Sequence, residues 1–198
     1  MGNANGTTTP TTNGHATALV VIDVQNTIVD GPDGATPIHD RDNVLARIGE
    51  LLAKARAAKA PVLFVQHEDP RFPPMAADSP GWEVHPAVAP LPGEPRIRKR
   101  ACDAFYATPL RSELDRLGTT RLVLAGCETD FCVDTAARRA LSLDYDVVLA
   151  ADAHTTTNGA EGGPLSPAQI IAHHNTVLAN VPHPSREIAV LPAAEIAF

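Results

Sequence analysis

No apolar run in this sequence approaches the roughly 20 residues that a bilayer-spanning helix needs, so no membrane span is expected. The first residues, MGNANGTTTPTTNGHA, have neither a charged n-region nor an apolar h-region and do not read as a signal peptide. Cysteine is scarce, with three residues in 198. An odd count without an export signal argues against a disulfide framework and for free thiols in a reducing, cytoplasmic compartment. Positive charge is in deficit, at a formal net charge of -7, which argues against a sequence-independent grip on nucleic acid. No glycine-rich turn follows the first apolar run and there is no P-loop, so a nicotinamide-type cofactor site fails its first test. His67, Glu68 and Asp69 sit together and His85 follows later, but not at zinc-site spacings. No metal and no other cofactor is expected.

What is present is ordinary for a globular chain: 44% apolar and 20% charged residues. The length suits one core. A tail rich in Gly, Thr and Asn, residues 1–16, is expected to be disordered, followed by a single domain over 17–198. ATALVVIDV (16–24), PVLFVQH (61–67), RLVLAGC (121–127) and YDVVLAAD (145–152) are short apolar runs without clean alternation. They read as strands buried on both faces, the mark of a parallel sheet. REIAVL (186–191) is a weaker last strand. Helical patterns fall at 43–59, 109–118, 131–143 and 166–181, the last opening on Ser166-Pro167, a good N-cap and first-turn pair. The alternation predicts an α/β fold: a doubly wound, Rossmann-like, six-stranded parallel sheet with helices on both faces. The segment from Pro70 to Pro95 is too rich in proline for an ordinary helix or central strand. It reads as a functional wall or lid, or else as a surface excursion.

In open parallel sheets ligands bind beyond the carboxyl ends of the strands, where strand order reverses. Asp23 and Gln25 follow the first run, His67 the second, and Cys127-Glu128-Thr129-Asp130-Phe131-Cys132 the third. Thr129 or Asp130 is a natural N-cap, which puts Cys132 in a first helical turn. Unpaired N–H groups and the helix dipole there can lower a thiol's pKa toward neutrality and hold an oxyanion. That makes Cys132 a candidate nucleophile; a buried small residue is the alternative. Cys127 is spaced C-x4-C from it, not as a redox pair. The basic run Arg96-Ile97-Arg98-Lys99-Arg100 reads as a strand end with solvated arginines.

These residues carry a resemblance. ALVVIDVQN, IRKRACDAFYATPL, LVLAGCETDFCVDTAARRA, YDVVLAADAHTT and HHNTVLANV resemble, in order, the isochorismatase-like cysteine hydrolases, over nearly all of the chain after the tail. The resemblance implies a catalytic triad of Asp23, Lys99 and Cys132, in which Cys132 attacks a carbonyl to form a thioester. It also implies a non-proline cis peptide joining Cys127 to Glu128, with the Glu128 N–H serving an oxyanion beside that of Cys132. Isochorismatases proper lack the cysteine, and nicotinamidases carry an Asp-x-His…His metal set that QHEDPRFPP does not match. GWEVHP is similar to the metal-free branch, where Trp82 would line the substrate pocket with Gln25, Phe105, Tyr106 and Phe131. Metal-free members include amidases of small carbamoyl compounds and hydrolases that open the lactam of streptothricin antibiotics. The expected activity is hydrolysis of a small-molecule C–N bond. The alternatives are a vinyl ether hydrolase and a non-catalytic binding protein on the same fold. HHNTVLANV and the proline-rich loop are candidate surfaces for a homo-oligomer, a dimer or tetramer.

Overall fold

Aliphatic runs with no polar alternation can only be strands if both faces are covered, and here they are. The computed structural model describes residues 16–32, 34, 36–157 and 164–198. The expected tail lies outside the described residues except for Ala16, which opens β1 (Ala16–Ile22). Five strands follow: β2 (Val62–His67), β3 (Arg96–Lys99), β4 (Thr119–Cys127), β5 (Asp146–Thr155) and β6 (Ile188–Leu191). All neighbouring pairs are parallel, in the order β3-β2-β1-β4-β5-β6. This is the doubly wound order, and it reverses between β1 and β4.

Along β1, Leu19 and Val21 face one side and Val20 and Ile22 the other, each in its own core. Helix α1 (Asn26–Asp30) follows β1 and contributes Val29 to the first core. The first side is closed mainly by α2 (Arg41–Ala57), whose Val44, Leu45, Ile48, Leu51, Leu52 and Ala55 recur at helical spacing and are buried. Truncating a fully buried member such as Ile48 to Ala is expected to cost about 2–5 kcal/mol. The second side takes α3 (Leu110–Arg116), α4 (Asp134–Ser142) and Leu178 of α5 (Pro167–Leu178). Helix α5 starts as expected, with Ser166 and Gln169 closing a reciprocal capping box.

Three backbone features shape the switch point. β1 stops at Ile22 because Asp23 is left-handed, at φ 52°, a conformation that Asp tolerates better than most residues. Gly126 has φ 124°, and a Cβ there would collide with the Ile22 carbonyl, so only glycine brings β4 this close to the end of β1. The Cys127–Glu128 peptide is cis. The helix after β4 begins differently from expectation. Residues Thr129–Val133 form one wide π-helical turn that runs into α4, and neither Thr129 nor Asp130 caps it. Both side chains are engaged elsewhere: Thr129 Oγ1 lies 2.8 Å from His154 Nδ1, and Asp130 Oδ1 accepts from the Thr156 hydroxyl at 2.7 Å.

The proline-rich segment is built into the fold. Val84 forms an antiparallel bridge with Gln25, the Asn26 and Thr27 amides donate to Glu83 and Gly81, and the His85 amide donates to Val24. The stretch after β1 thus serves as a rail along which residues 81–85 lie.

Candidate active site

The register of the sheet assembles the site. His67 and Lys99 are direct partners across β2 and β3. Along β3 exposure alternates, so Lys99 points inward with Ile97 while Arg96 and Arg98 point out. Lys99 is 1% exposed. Its Nζ lies 2.7 Å from Asp23 Oδ2, 3.0 Å from Cys132 Sγ and 3.1 Å from His67 Nδ1. An ammonium has three protons, and three acceptors surround it. Asp23 arrives from the end of β1, Cys132 from the turn after β4, and Lys99 from the end of β3.

Burial pulls the Lys99 pKa down, but the Asp23 carboxylate and the hydrogen bonds of Asp23 and Cys132 overcome it and hold Lys99 as an ammonium. His67 is pulled down by burial and then by Lys99⁺, so it is neutral and accepts from the ammonium. The Cys132 thiol does not follow the expected depression. Burial and the Asp23 carboxylate push it up, against the opposing pull of Lys99. Releasing its proton to solvent would add a buried negative charge. Passing the proton to Asp23 leaves the net charge of the cluster unchanged. The thiol is therefore protonated at rest.

Asp23, His67 and Cys132 also place donor atoms within 4.8 Å of one another, a spacing that could hold a metal ion. The Lys99 ammonium contacts all three, so the position such an ion would use already carries a positive charge.

The cluster opens into a cavity of about 680 Å³. Asp23, His67, Cys102, Glu128, Phe131 and Cys132 line it, and Asp69, Phe72 and Met75 bring in the start of the proline-rich segment. Glu128 has its carboxyl pKa raised to about 7 by burial and by the nearby charges of Asp130 and Asp23.

Of the side chains expected to contact substrate, Phe131 lines this cavity and is 55% exposed. The others are placed elsewhere. Gln25 is fully buried; its amide donates to the His67 and Trp82 carbonyls and accepts from the His67 amide, so it fastens β2 to the proline-rich segment. Trp82 is buried too; Gln25 and Gln66 both donate to its carbonyl, and the Arg98 guanidinium sits 5.0 Å over its ring. Phe105 stacks on Tyr145 at 6.1 Å in the opposite core. Tyr106 is 68% exposed and borders a separate cavity of about 420 Å³. The basic run is neutralised: Arg96 pairs with Glu83, and Arg98 and Arg100 pair with buried Glu68.

Sequence reasoning missed two features. Cys102, which follows β3, puts its sulfur 3.9 Å from that of Cys132. Beside the turn that holds Cys132, His154 Nε2 lies 2.8 Å from Asn175 Oδ1, and Asn175 Nδ2 donates to the Ala151 carbonyl. Burial lowers the His154 pKa to about 4, so it is neutral; Nε2–H donates to Asn175 and Nδ1 accepts from Thr129.

The Isochorismatase domain model matches residues 17–165 of this chain. The chain belongs to the isochorismatase family. A streptothricin hydrolase from Streptomyces noursei is 41% identical over 139 residues, covering 70% of the present chain and 49% of the relative. The chain thus spans about half the length of that relative. A ureidoacrylate amidohydrolase from Methylobacterium radiotolerans is 30% identical over 171 residues, covering 69% and 66%. The crystal structure of an isochorismatase from Pseudomonas putida KT2440 superposes with a TM-score of 0.76 at 29% identity, covering 91% of this chain and 90% of that one. The chain carries the isochorismatase-like α/β fold of this family. Among the described residues, no helix is long and apolar enough to cross a membrane.

Proposed function

We propose that this chain is a metal-independent amidohydrolase that cleaves the C–N bond of a small carboxamide, carbamoyl compound or lactam through a thioester on Cys132. The observation that carries this reading is the buried ammonium of Lys99, held 2.7 Å from Asp23 and 3.0 Å from Cys132, two residues that line the cavity. Asp23 takes the thiol proton as the sulfur attacks the carbonyl carbon. Lys99 stays charged throughout and stabilises whichever of the two partners is anionic. Backbone N–H groups at Glu128 and Cys132 are the candidate donors to the oxyanion, a contribution typically worth about 3 kcal/mol. As the intermediate collapses, Asp23 returns the proton to the leaving amine nitrogen. Water then attacks the thioester with Asp23 as its base, and the acid leaves as the thiol re-forms. The naming of two relatives as a streptothricin hydrolase and a ureidoacrylate amidohydrolase supports an amide substrate.

The test is ammonia or amine release from a panel of carboxamides, N-carbamoyl amino acids and lactams, streptothricin included, with Cys132→Ala beside wild type. Turnover of a panel member that Cys132→Ala loses is the expected result. Full activity in Cys132→Ala would overturn the thioester route and favour vinyl ether hydrolysis, which needs the acid and not the thiol.

A further inference from the structure

Cys102 is a nucleophilic side chain that the hydrolytic steps leave unused. It is half-buried, lines the same cavity as Cys132, and holds its sulfur 3.9 Å from the Cys132 sulfur. The Thr135 hydroxyl, in the first turn of α4, lies 3.2 Å from the Cys102 sulfur and steadies it there. Cys127, the thiol nearest to Cys132 in the sequence, is fully buried and lies outside the cavity lining.

We infer that Cys102 and Cys132 form a peroxide-responsive pair, in which Cys102 captures an oxidised Cys132 as a reversible disulfide. The inference rests on the reading of Cys132 as the reactive thiol. The oxidant is a hydroperoxide small enough for the cavity, such as hydrogen peroxide. In the first step the Cys132 thiolate, its proton held on Asp23, attacks one peroxide oxygen. The O–O bond breaks, the departing hydroxide takes the Asp23 proton as water, and Cys132 becomes a sulfenic acid. Sulfur is oxidised by two electrons and the peroxide is reduced by two. In the second step the Cys102 sulfur attacks the sulfenic sulfur. The S–O bond breaks, and the hydroxide leaves as water with the Cys102 proton. The sulfurs need only close from 3.9 Å to the roughly 2.05 Å of a disulfide.

Proximity sets the outcome. A sulfenic acid left alone meets a second peroxide and becomes a sulfinic acid, which is irreversible for most proteins. A thiol already in the cavity competes as an intramolecular reactant and wins at modest peroxide concentration. The disulfide occupies the nucleophile, so hydrolysis stops until a dithiol reduces it by exchange.

The experiment treats wild type and Cys102→Ser with graded hydrogen peroxide and reads intact mass and peptides without reduction. Tryptic cleavage places Cys102 in residues 101–111, and Cys127 with Cys132 in residues 122–138, where fragmentation tells the two apart. Wild type should lose about 2 Da as a Cys102–Cys132 cross-link that dithiothreitol reverses, while Cys102→Ser should gain about 32 Da on Cys132. Cys102→Ala, carried in parallel, guards against a folding defect of the serine variant. A gain of about 32 Da on Cys132 in wild type, with no cross-link, would overturn the pair and leave Cys132 as a reactive thiol. A cross-link to Cys127 would overturn it as well. No oxidation at Cys132 in any variant would overturn both the pair and the reading of Cys132 beneath it. The masses are read whether or not a hydrolysable amide has been found.

Discussion

Two buried polar clusters flank the turn that starts at Cys127, and they are built on opposite principles. On the cavity side stand Asp23, Lys99, His67 and Cys132, with a carboxylate, an ammonium and an ionisable thiol in mutual contact. On the far side stand Thr129, His154 and Asn175, uncharged, each side chain bonded to the next and the last tied to the Ala151 carbonyl. The neutral cluster is a closed chain of donors and acceptors, the arrangement that makes a buried polar network stabilising. The charged cluster is instead gathered round one ammonium, with Lys99 2.7 Å from Asp23 and 3.0 Å from Cys132. On the proposed mechanism the contrast separates positioning from chemistry: one cluster holds the turn, and the other acts at its surface.

The largest effect should follow from opening the charged cluster. Lys99→Met would leave Asp23 buried without its cation. Activity on any panel substrate should fall at least about 1,000-fold, and urea unfolding should show a loss of about 3 kcal/mol. Lys99→Arg should not rescue activity, because a planar guanidinium cannot direct three protons at three separate acceptors. Retained activity in either variant would show that the ammonium is a bystander.

Acid should break the neutral cluster. Unfolded histidine titrates near 6.5, whereas His154 titrates at about 4 in the fold. Between those values the unfolded chain binds more protons than the folded one. Stability from this site is therefore full above pH 6.5, declines as pH falls, and has lost about 3 kcal/mol below pH 4. Melting curves across this window should show the decline in wild type and a flatter profile in His154→Gln.

Thr129→Val should cost about 1–2 kcal/mol, because it leaves the buried Nδ1 of His154 without a donor. Its pH–rate profile should keep the shape of wild type while the rate falls. A displaced profile would mean that the neutral cluster takes part in the proton chemistry after all. The smallest effect is expected at Glu128, whose raised pKa means that ionising it opposes folding. The penalty begins above pH 4.5 and is complete above the folded value of about 7. Glu128→Gln should raise stability by about 1 kcal/mol at pH 8 and leave it unchanged at pH 4.

Much of this was legible before any coordinates. Unbroken aliphatic runs placed the parallel strands, and the end of a strand at a topological switch drew attention to Asp23 and Cys132. Lys99 was named only by family resemblance, although a local signal exists. In Arg96-Ile97-Arg98-Lys99 the lysine is in phase with the buried isoleucine, an alternation easily dismissed because lysine is rarely buried. Trp82 illustrates the opposite limit. Its carbonyl is bonded by amides 57 and 16 residues away, so no neighbouring residues encode that the ring turns from the cavity. The contact between Cys102 and Cys132 spans 30 residues and depends on how β3 and β4 end. Such approaches are products of register and loop path, not of local pattern.

The central claim, that Cys132 is the nucleophile and Lys99 its partner, can be tested before the natural substrate is known. An activated ester such as p-nitrophenyl acetate offers the thiol an acyl group, and an acetyl thioester adds about 42 Da to the residue that carries it. Wild type should carry the label on Cys132, and Lys99→Met should carry little or none. An equal label on Cys102 and Cys132, a label on Cys102 alone, or acylation of Cys132 that ignores the loss of Lys99 would contradict the account.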